Sequence, residues 1–344
     1  MRNKFVFILL ALVILLSACN FPVGPIAAPA ALSMNQNFLF DPANATATAT
    51  PFQPLPPTAI YFPTATPVPP TPTPISYGQF SSEPSSSPAG LIPQPEGQVN
   101  IVLLGSDQRY GRGGFRTDTI VLVTINPADN TVNMTSFPRD LYVTIPGYKS
   151  SRINTAHAKG GFETLASTFV YNFGVRPDYF VLINFWSFVD VVDSLGGIDV
   201  YASQPLSEYT ARGWFTIPAG LNYMDGDTAL YYSRSRKSTS DFDRNRRQQE
   251  LVTGIFNKLM SLYTIAKIPE LYKIYADSVT TNIKLSDVIP LIPVAARIKD
   301  SDQIKHYYIG RGQVSNWRTP TGGAVLLPNR AAVMDVMRKA LNSP

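Results

Sequence analysis

The chain has 344 residues, with 29 Lys and Arg, 24 Asp and Glu, two His, one Cys and 30 Pro. This length suffices for one large domain or two small ones, and a single Cys excludes a disulfide framework, a Cys-rich zinc site and Cys-x-x-Cys redox chemistry. The net charge of +5 suits an anionic ligand but is too small to indicate nucleic-acid binding by itself.

The first nineteen residues are typical of a secretion signal. Arg2 and Lys4 precede the apolar run FVFILLALVILL, which is shorter than the ~20 residues that span a bilayer. The run ends in Leu-Ser-Ala-Cys, which resembles a bacterial lipobox, and the single Cys of the chain is Cys19. We therefore predict a lipoprotein signal peptide over residues 1–18 and a lipidated Cys19. An uncleaved signal anchor is the alternative, and both place the domain outside the cytoplasmic membrane.

Residues 19–97 are predicted to form a disordered tether behind this anchor. Eighteen of the 30 prolines lie in residues 20–97, within Thr-Pro and Ser-rich runs that lack apolar periodicity. Such a segment cannot bury enough apolar surface to offset its ordering entropy, and its prolines favour extended polyproline II geometry. The tether is predicted to act as a spacer into the cell envelope.

The pattern changes at Val99, and residues 98–344 are predicted to form an α/β domain. Short apolar runs predict strands at NIVLLGSD, TIVLVTINP, LYVTI, DYFVLIN and HYYIG, and alternation predicts another at TVNMTS, Thr131–Ser136. Helical spacing predicts helices at GGFETLASTFVYNFG, WSFVDVVDSLGG, DGDTALYYSRSR and DRNRRQQELVTGIFNKLMSL, and over residues 284–298 and 328–341. Strands that alternate with helices favour a sheet covered by helices on both faces.

Two aspartates flank the glycine-rich loop between the first two strands. Asp107 follows the first strand, and Arg116 and Asp118 precede the second. Two carboxylates beside such a loop can bind a hard dication, and Mg²⁺ normally shares its coordination with substrate phosphates. The structural alternative is that Asp107 caps a turn and that Asp118 pairs with Arg116 or with Arg139, which ends the third strand.

The segment SRSRKSTSDFDRNRRQQ concentrates arginine in a weakly charged chain. Arg234 and Arg236 are two residues apart, which directs both to one side of an extended segment. Arg244 and Arg247 are three residues apart on the next helix, with Gln248 beside Arg244. Planar guanidinium groups bind phosphate bidentately at any relevant pH. A solvated charged face is the alternative.

Other familiar sites are absent from the sequence. The chain has no G-x-S-x-G nucleophile elbow and no G-x-x-x-x-G-K-[ST] loop. His157 lacks a Cys or an obvious Ser partner, and His306 stands in a predicted strand, so we predict structural roles for both.

Together these motifs resemble the LytR-CpsA-Psr family of cell-envelope phosphotransferases from about residue 100 to about residue 261. The resemblance implies an α-β-α sandwich with a central mixed sheet and a hydrophobic prenyl-lipid pocket, its core over residues 98–262. It also implies a function, the transfer of a glycopolymer with its phosphate from a polyprenyl diphosphate to a muramic-acid hydroxyl of peptidoglycan.

The resemblance further implies residue roles. Asp107 and Asp118 would hold Mg²⁺ or Mn²⁺ on the diphosphate, and Asp241 could activate the acceptor hydroxyl. Asp243 stands where the family usually has Gly, so that either Asp241 or Asp243 could be the base. The side chains implied to bind the diphosphate or to act in catalysis are Arg116, Arg139, Arg234, Arg236, Asp241, Arg244, Arg247 and Gln248.

The expected partners are the polyprenyl diphosphate-linked glycopolymer, peptidoglycan and, through the lipid anchor, the membrane; no nucleic acid is expected. The expected location is the extracytoplasmic face of the cell membrane. A non-catalytic envelope protein that binds polyprenyl phosphates or anionic polymers is an alternative, and so is a prenyl diphosphate hydrolase. Most relatives have a transmembrane helix instead of a lipobox and a long tether, so here the domain must fold back to reach a membrane lipid.

Overall fold

The computed structural model describes residues 87–108, 115–211, 213–236, 240–260, 275, 279–298 and 303–342. All of them belong to the unit Pro74–Pro344. The predicted signal peptide, Cys19 and residues 19–86 of the predicted tether lie outside the described residues. No helix in the described part of the chain is long and apolar enough to cross a membrane.

The strands, in chain order, are β1 (Val99–Ser106), β2 (Thr117–Asn126), β3 (Thr131–Ser136), β4 (Tyr142–Val143), β5 (Ser151–Arg152), β6 (Tyr179–Asn184), β7 (Ile198–Ala202), β8 (Leu206–Thr210), β9 (Gly213–Ile217), β10 (Gly220–Met224), β11 (Thr280–Thr281), β12 (Ile304–Tyr308), β13 (Val314–Arg318) and β14 (Ala324–Pro328). The helices are α1 (Ala156–Phe173), α2 (Phe185–Ser194), α3 (Gly226–Arg234), α4 (Asp241–Met260), α5 (Leu285–Val288), α6 (Ile292–Arg297) and α7 (Arg330–Asn342). Short 3₁₀ turns occupy Ile153–Thr155 and Ile289–Leu291.

A six-stranded mixed sheet forms the centre of the fold, in the order β11-β6-β1-β2-β3-β12. β1 runs parallel to β6 and β3 runs parallel to β12, whereas β2 is antiparallel to both β1 and β3. The carboxyl ends of β1, β3, β6 and β12 therefore meet the beginning of β2 at one edge of the sheet. Asp107, Asp118 and Arg139 lie at this edge because they follow β1, begin β2 and follow β3.

Helices cover both faces of the sheet, as predicted. Successive strand residues point to opposite faces, so Ile120 packs with Phe169 of α1 whereas Val121 packs with Val252 of α4. Helix α7 joins α1 on the first face through Met337. A separate cluster joins α2, α3 and α4 to β7–β10. The architecture is an α-β-α sandwich with an added β-hairpin region.

The predicted strands and helices are present in the described residues, with three differences. LYVTI contributes only the two residues of β4, and α1 begins at Ala156, before the predicted GGF segment. The predicted helix over residues 284–298 is broken into α5, a 3₁₀ turn and α6, because Pro290 and Pro293 lack the backbone N–H that a continuous helix requires. The strands β5, β7–β11, β13 and β14 were not predicted.

The domain begins earlier than the predicted boundary at residue 98. Residues 87–97, assigned to the tether, pack on the sandwich: the Ala89 N–H donates to the Tyr171 carbonyl at 2.8 Å and the Ile92 N–H to the Gly174 carbonyl at 2.8 Å. The Ile92 side chain is buried. The proline content of this stretch concealed the packing, since proline is equally compatible with an extended segment along a helix.

Candidate active site

A cavity of about 1230 Å³ lies between the sheet and α4. One stripe of α4 lines it, formed by residues three or four apart on a single helix face. In order along the helix, these residues are Asp241, Arg244, Gln248, Leu251, Val252, Ile255 and Leu259. At 1.5 Å per residue the stripe is about 27 Å long. It changes from charged to apolar along its length, so the cavity has a charged mouth and an apolar body.

The sheet and the two neighbouring helices line the rest of the cavity. The apolar lining residues from these elements are Leu103, Leu104, Val121, Val181, Ile183, Phe185, Phe188, Val191 and Leu230. The polar lining residues at the sheet edge and after α3 include Asp107, Asp118, Arg234 and Arg236. Such a cavity suits an amphiphile with an anionic head and a long apolar tail.

A β-bulge directs Asp118 into the cavity. Gly105 of β1 faces Thr119 of β2, but the next residue, Ser106, faces Thr117, so Asp118 is an extra residue in the ladder. Adjacent residues of a regular strand point to opposite faces, whereas a bulge re-aims a side chain. Asp118 and Thr119 consequently both line the cavity.

The two aspartates at the mouth have hydrogen-bond partners that leave acceptor capacity. Asp107 Oδ1 accepts from the Arg116 N–H at 2.7 Å, and Asp118 Oδ2 accepts from Arg139 Nη1 at 2.8 Å. Asp118 Oδ1 is buried and has no hydrogen-bond partner. The alternative prediction, that Asp118 pairs with Arg139, is thus confirmed. This ion pair uses one carboxylate oxygen of Asp118 and leaves the other oxygen able to accept a ligand.

The donor set fits Mg²⁺ that shares its sphere with a substrate. Within the described residues, no group of three or more His, Cys, Asp or Glu side chains is placed to hold a metal ion. Among the described acidic residues that line the cavity, Asp107 and Asp118 are the two at the sheet edge, and the buried Oδ1 of Asp118 has no hydrogen-bond partner and could accept a ligand. Mg²⁺ keeps several waters and binds through one or two carboxylates plus phosphate oxygens.

Three arginines lie at the mouth of the cavity. The guanidinium of Arg234 stacks on the Phe185 ring at 4.0 Å from its centroid. Arg236 Nη1 lies 3.7 Å from Asp241 Oδ1, and Arg244 Nη2 lies 3.0 Å from Asp241 Oδ2. Burial lowers the pKa of Arg244, although Asp241 opposes this effect. The arginines outnumber the carboxylate that they surround, so positive charge is in local excess around Asp241, whereas Asp107 and Asp118 place negative charge at the sheet edge of the same mouth.

Arg139 and Arg116, both predicted to bind substrate, do not line the cavity. Arg139 contacts Asp118, which lines the cavity, and also Asp140, with 3.4 Å between Arg139 Nε and Asp140 Oδ2. Burial opposes the charge of Arg139, but Asp118 and Asp140 outweigh it and raise its pKa. The Arg116 side chain is exposed, and its backbone N–H orients Asp107. In this geometry both arginines position the aspartates.

Asp243 has a structural role that separates it from Asp241. The Ser240 N–H and Oγ donate to Asp243 Oδ2 at 2.9 and 2.6 Å, and the Asp243 N–H donates to Ser240 Oγ at 3.2 Å. This reciprocal pair is a capping box at the start of α4. The hydrogen bonds from Ser240 lower the pKa of Asp243. Asp241 lines the cavity and is the better candidate for a base.

We expect Asp243→Ala to lower the free energy of unfolding by about 1 kcal/mol at neutral pH, as loss of a helix cap does. Because the native pKa of Asp243 is lowered, its contribution is complete above the ordinary carboxyl range and is lost as the pH falls through the native pKa. Urea denaturation at several pH values should show that the difference in free energy of unfolding between the wild type and the variant shrinks in acid. A difference that grows in acid would contradict the cap.

Arg247, predicted to bind substrate, points away from the cavity. Its Nε donates to the Tyr232 carbonyl at 2.9 Å, and its Nη2 donates to the Ser235 carbonyl. The side chain is 1% exposed. Arg247 therefore holds the backbone between Arg234 and Arg236, whereas its neighbour Gln248 lines the cavity.

Substitution of Arg247 by Met should destabilise the fold by about 3 kcal/mol, because two backbone carbonyls lose a buried charged donor. Thermal and urea denaturation measure this loss. A protein of unchanged stability would show that the buried guanidinium does not hold the segment after α3.

Neither histidine lies at the cavity, whereas one carboxylate that was not predicted does. His157 lies between the Phe115 and Phe180 rings, at 5.7 and 5.6 Å, and burial lowers its pKa. His306 belongs to β12, as predicted, and its Nδ1 is 2.7 Å from Gln249 Oε1. Neither lines the cavity. Glu208, buried on β8, does line it and was missed, since its only signal is the alternation of a short strand.

The fold and the site define an α/β protein built around a cavity for an anionic amphiphile, with carboxylate and guanidinium groups at the mouth. The LytR_cpsA_psr family model matches residues 75–323, and the chain belongs to this family.

Named relatives agree in sequence and structure. The chain is 34% identical over 215 residues to a polyisoprenyl-teichoic acid–peptidoglycan teichoic acid transferase, TagT of Bacillus subtilis, across 60% of this chain and 66% of that protein. It thus spans slightly less than two thirds of that relative. The crystal structure of TagV of B. subtilis superposes with a TM-score of 0.60 at 28% identity, covering 71% of this chain and 95% of that one. A structure of TagT bound to LIIa-WTA has a TM-score of 0.58 at 27% identity, covering 74% and 95%.

Proposed function

We propose that this protein transfers a glycopolymer, with its phosphate, from a polyprenyl diphosphate to a hydroxyl of peptidoglycan. The observation that supports it best is the single cavity that joins a charged mouth to an apolar body along about 27 Å of α4. A diphosphate fits the arginines and a prenyl tail fits the body. The relative TagT is named as a transferase of teichoic acid from a polyisoprenyl carrier to peptidoglycan.

The reaction proposed at the mouth is an in-line phosphoryl transfer. The acceptor oxygen forms a bond to the phosphorus that carries the glycopolymer, and the bond from that phosphorus to the bridging oxygen breaks. Prenyl phosphate leaves with the bridging oxygen, and Asp241 takes the proton of the acceptor hydroxyl. Arg234, Arg236 and Arg244 hold the phosphate oxygens and stabilise the charge that moves to the leaving group.

Mg²⁺, or Mn²⁺, is the proposed cofactor. Asp107 and Asp118 would hold the ion, and the ion would neutralise the diphosphate charge. Arg139 and the Arg116 N–H orient the two carboxylates through the bonds described above.

The test is the release of prenyl phosphate from a prenyl diphosphate-linked saccharide, with and without a peptidoglycan oligomer and with and without Mg²⁺. We expect release to require both. Release without the oligomer would instead establish a hydrolase, and binding of the donor without release would establish a binding protein.

We further propose that the protein is lipid-anchored at Cys19 on the extracytoplasmic face of the membrane. Cys19→Ser should abolish incorporation of labelled palmitate and move the protein from the membrane fraction of the producing bacterium, because two acyl chains anchor stably whereas none remains after the change. Unchanged labelling of the variant would contradict lipidation at this residue.

A further inference from the structure

The strands β7–β10, residues 198–224, form a long hairpin with an apolar outer face. β7 pairs with β10 and β8 pairs with β9. Along β7 and β8 the even-numbered residues are buried, apart from the half-buried Thr210, and the odd-numbered residues are exposed. The large side chains of the outer face, which we name the aromatic strip, are Tyr201, Tyr209, Trp214, Leu221 and Tyr223. Each is between 65% and 73% exposed. Large exposed apolar patches on a protein surface mark interaction sites, so this face is a candidate for one.

The strip is ordered by strand register. Tyr201 faces Leu221 across the hairpin, and Tyr209 faces Trp214 with ring centroids 5.7 Å apart in an edge-to-face arrangement. Eight residues separate Tyr201 from Tyr209, which at about 3.3 Å each allows up to about 26 Å. This length is an upper limit, because residues 203–205 are not in a strand, and the strip has one cross-strand pair in each of two short ladders.

Hydroxyl groups interrupt the aromatic rings. Ser207 and Thr216 face each other between the two aromatic pairs, with 3.0 Å between their side-chain oxygens. Tyr and Trp rings combine an apolar face with a polar atom. Alternation of ring faces and hydroxyl groups matches a sugar chain, whose units present apolar C–H faces and hydroxyl edges.

The charge of the strip argues for a neutral ligand. Among the described outer-face residues of β7–β10, the charged side chain is Asp199, which faces Tyr223 at one end. Surfaces that bind anionic bilayers carry clusters of Lys and Arg. Residues 198–224 contain one basic residue, Arg212, which lies outside the described residues, and one basic residue is not such a cluster. This composition favours a neutral glycan over an anionic membrane or an anionic polymer.

The inner face of the same hairpin forms part of the cavity wall. Glu208 lines the cavity, and the Phe215 ring lies 4.2 Å from the ring of Tyr231, which also lines it. Tyr231 and Arg234 are three residues apart on α3 and share a helix face. The hairpin therefore separates the aromatic strip on its outer face from the cavity wall that carries Tyr231 and Arg234.

We propose that the aromatic strip binds a neutral glycan strand, and that this strand is the acceptor of the transfer. The second half rests on the proposed function, whereas glycan binding itself does not. The strip would hold the acceptor strand beside the cavity and leave one unit to enter the mouth.

The test measures binding without turnover. The full chain carrying Cys19→Ser is titrated with chitohexaose, a neutral N-acetylglucosamine chain, and binding is followed by tryptophan fluorescence and calorimetry. We expect Tyr209→Ser with Trp214→Ser to weaken binding about tenfold, as loss of aromatic contacts does. Trp214→Phe should retain it. Leu91→Ser removes a side chain of similar exposure, 68%, from the edge of α7 and should leave binding unchanged.

The following outcomes would overturn the aromatic strip as a glycan site or identify another ligand for it. Equal weakening by Leu91→Ser, or no weakening by the double variant, would overturn the strip as a glycan site. A double variant that binds chitohexaose normally but loses association with phosphatidylglycerol vesicles would show a membrane surface instead. Normal melting temperatures of the variants, or retention by Trp214→Phe, separate loss of binding from misfolding. A chain that binds the glycan through the strip but transfers nothing would contradict the proposed function alone.

Discussion

Arg234→Ala should lower turnover about a thousandfold while the melting temperature stays nearly unchanged, because the lost donors act on charge in the transition state. Arg234 lines the cavity mouth, is exposed to solvent and stacks on Phe185, so its removal leaves no buried cavity. Single-turnover assays and thermal denaturation of the same preparation measure both quantities.

Two matched variants sharpen this expectation. Arg234→Lys keeps the charge but loses the planar fork that binds phosphate bidentately, so it should restore only part of the activity. Arg338→Ala removes an exposed arginine from α7 and should leave turnover unchanged. A large fall in melting temperature for Arg234→Ala would show a structural role, and full activity would remove Arg234 from the site.

Asp118→Asn should lower Mg²⁺-dependent turnover on the order of a hundredfold or more, because it removes the charge of a carboxylate placed at the mouth by the β-bulge. It should also weaken binding of Mn²⁺ alone, measured by electron paramagnetic resonance. The second measurement does not depend on substrate, so it isolates the metal ligand from the other roles of the site.

Asp140→Asn is the control for this change. Asp140 also contacts Arg139 but does not line the cavity. If both variants lose Mn²⁺ binding equally, the loss is caused by displacement of Arg139, which both aspartates contact, and Asp118 is not a metal ligand. If neither loses it, the proposed metal site is wrong.

The local residue pattern was sufficient to predict most strands and helices of the α-β-α sandwich. The strand predicted over Thr131–Ser136 has the bounds of β3, although all six of its residues are buried. The predicted helix at DGDTALYYSRSR is α3, and the Asp that opens the motif is its cap, since Asp225 accepts from the Thr228 N–H at 2.9 Å. These features depend on neighbours in the chain, which a sequence displays directly.

Placement relative to distant elements was not predictable. Spacing puts Arg244, Arg247 and Gln248 on neighbouring positions of one helix, but only the packing of α4 decides that Arg247 meets backbone carbonyls while the other two meet the cavity. The bulge at Asp118 has no signature in sequence, because it is a register shift between two strands. The five-residue strands of the long hairpin are too short for alternation to separate them from loops.

The fate of the phosphate next to the sugar distinguishes transfer from hydrolysis. A prenyl diphosphate-linked saccharide that carries ¹⁸O at the non-bridging oxygens of this phosphate is incubated with the protein, Mg²⁺ and a peptidoglycan oligomer, and the products are analysed by mass spectrometry. We expect an oligomer that gains the saccharide together with one labelled phosphate, and we expect the released prenyl phosphate to be unlabelled. Label found only in a free phosphorylated saccharide, with an unchanged oligomer, would contradict the proposed transfer.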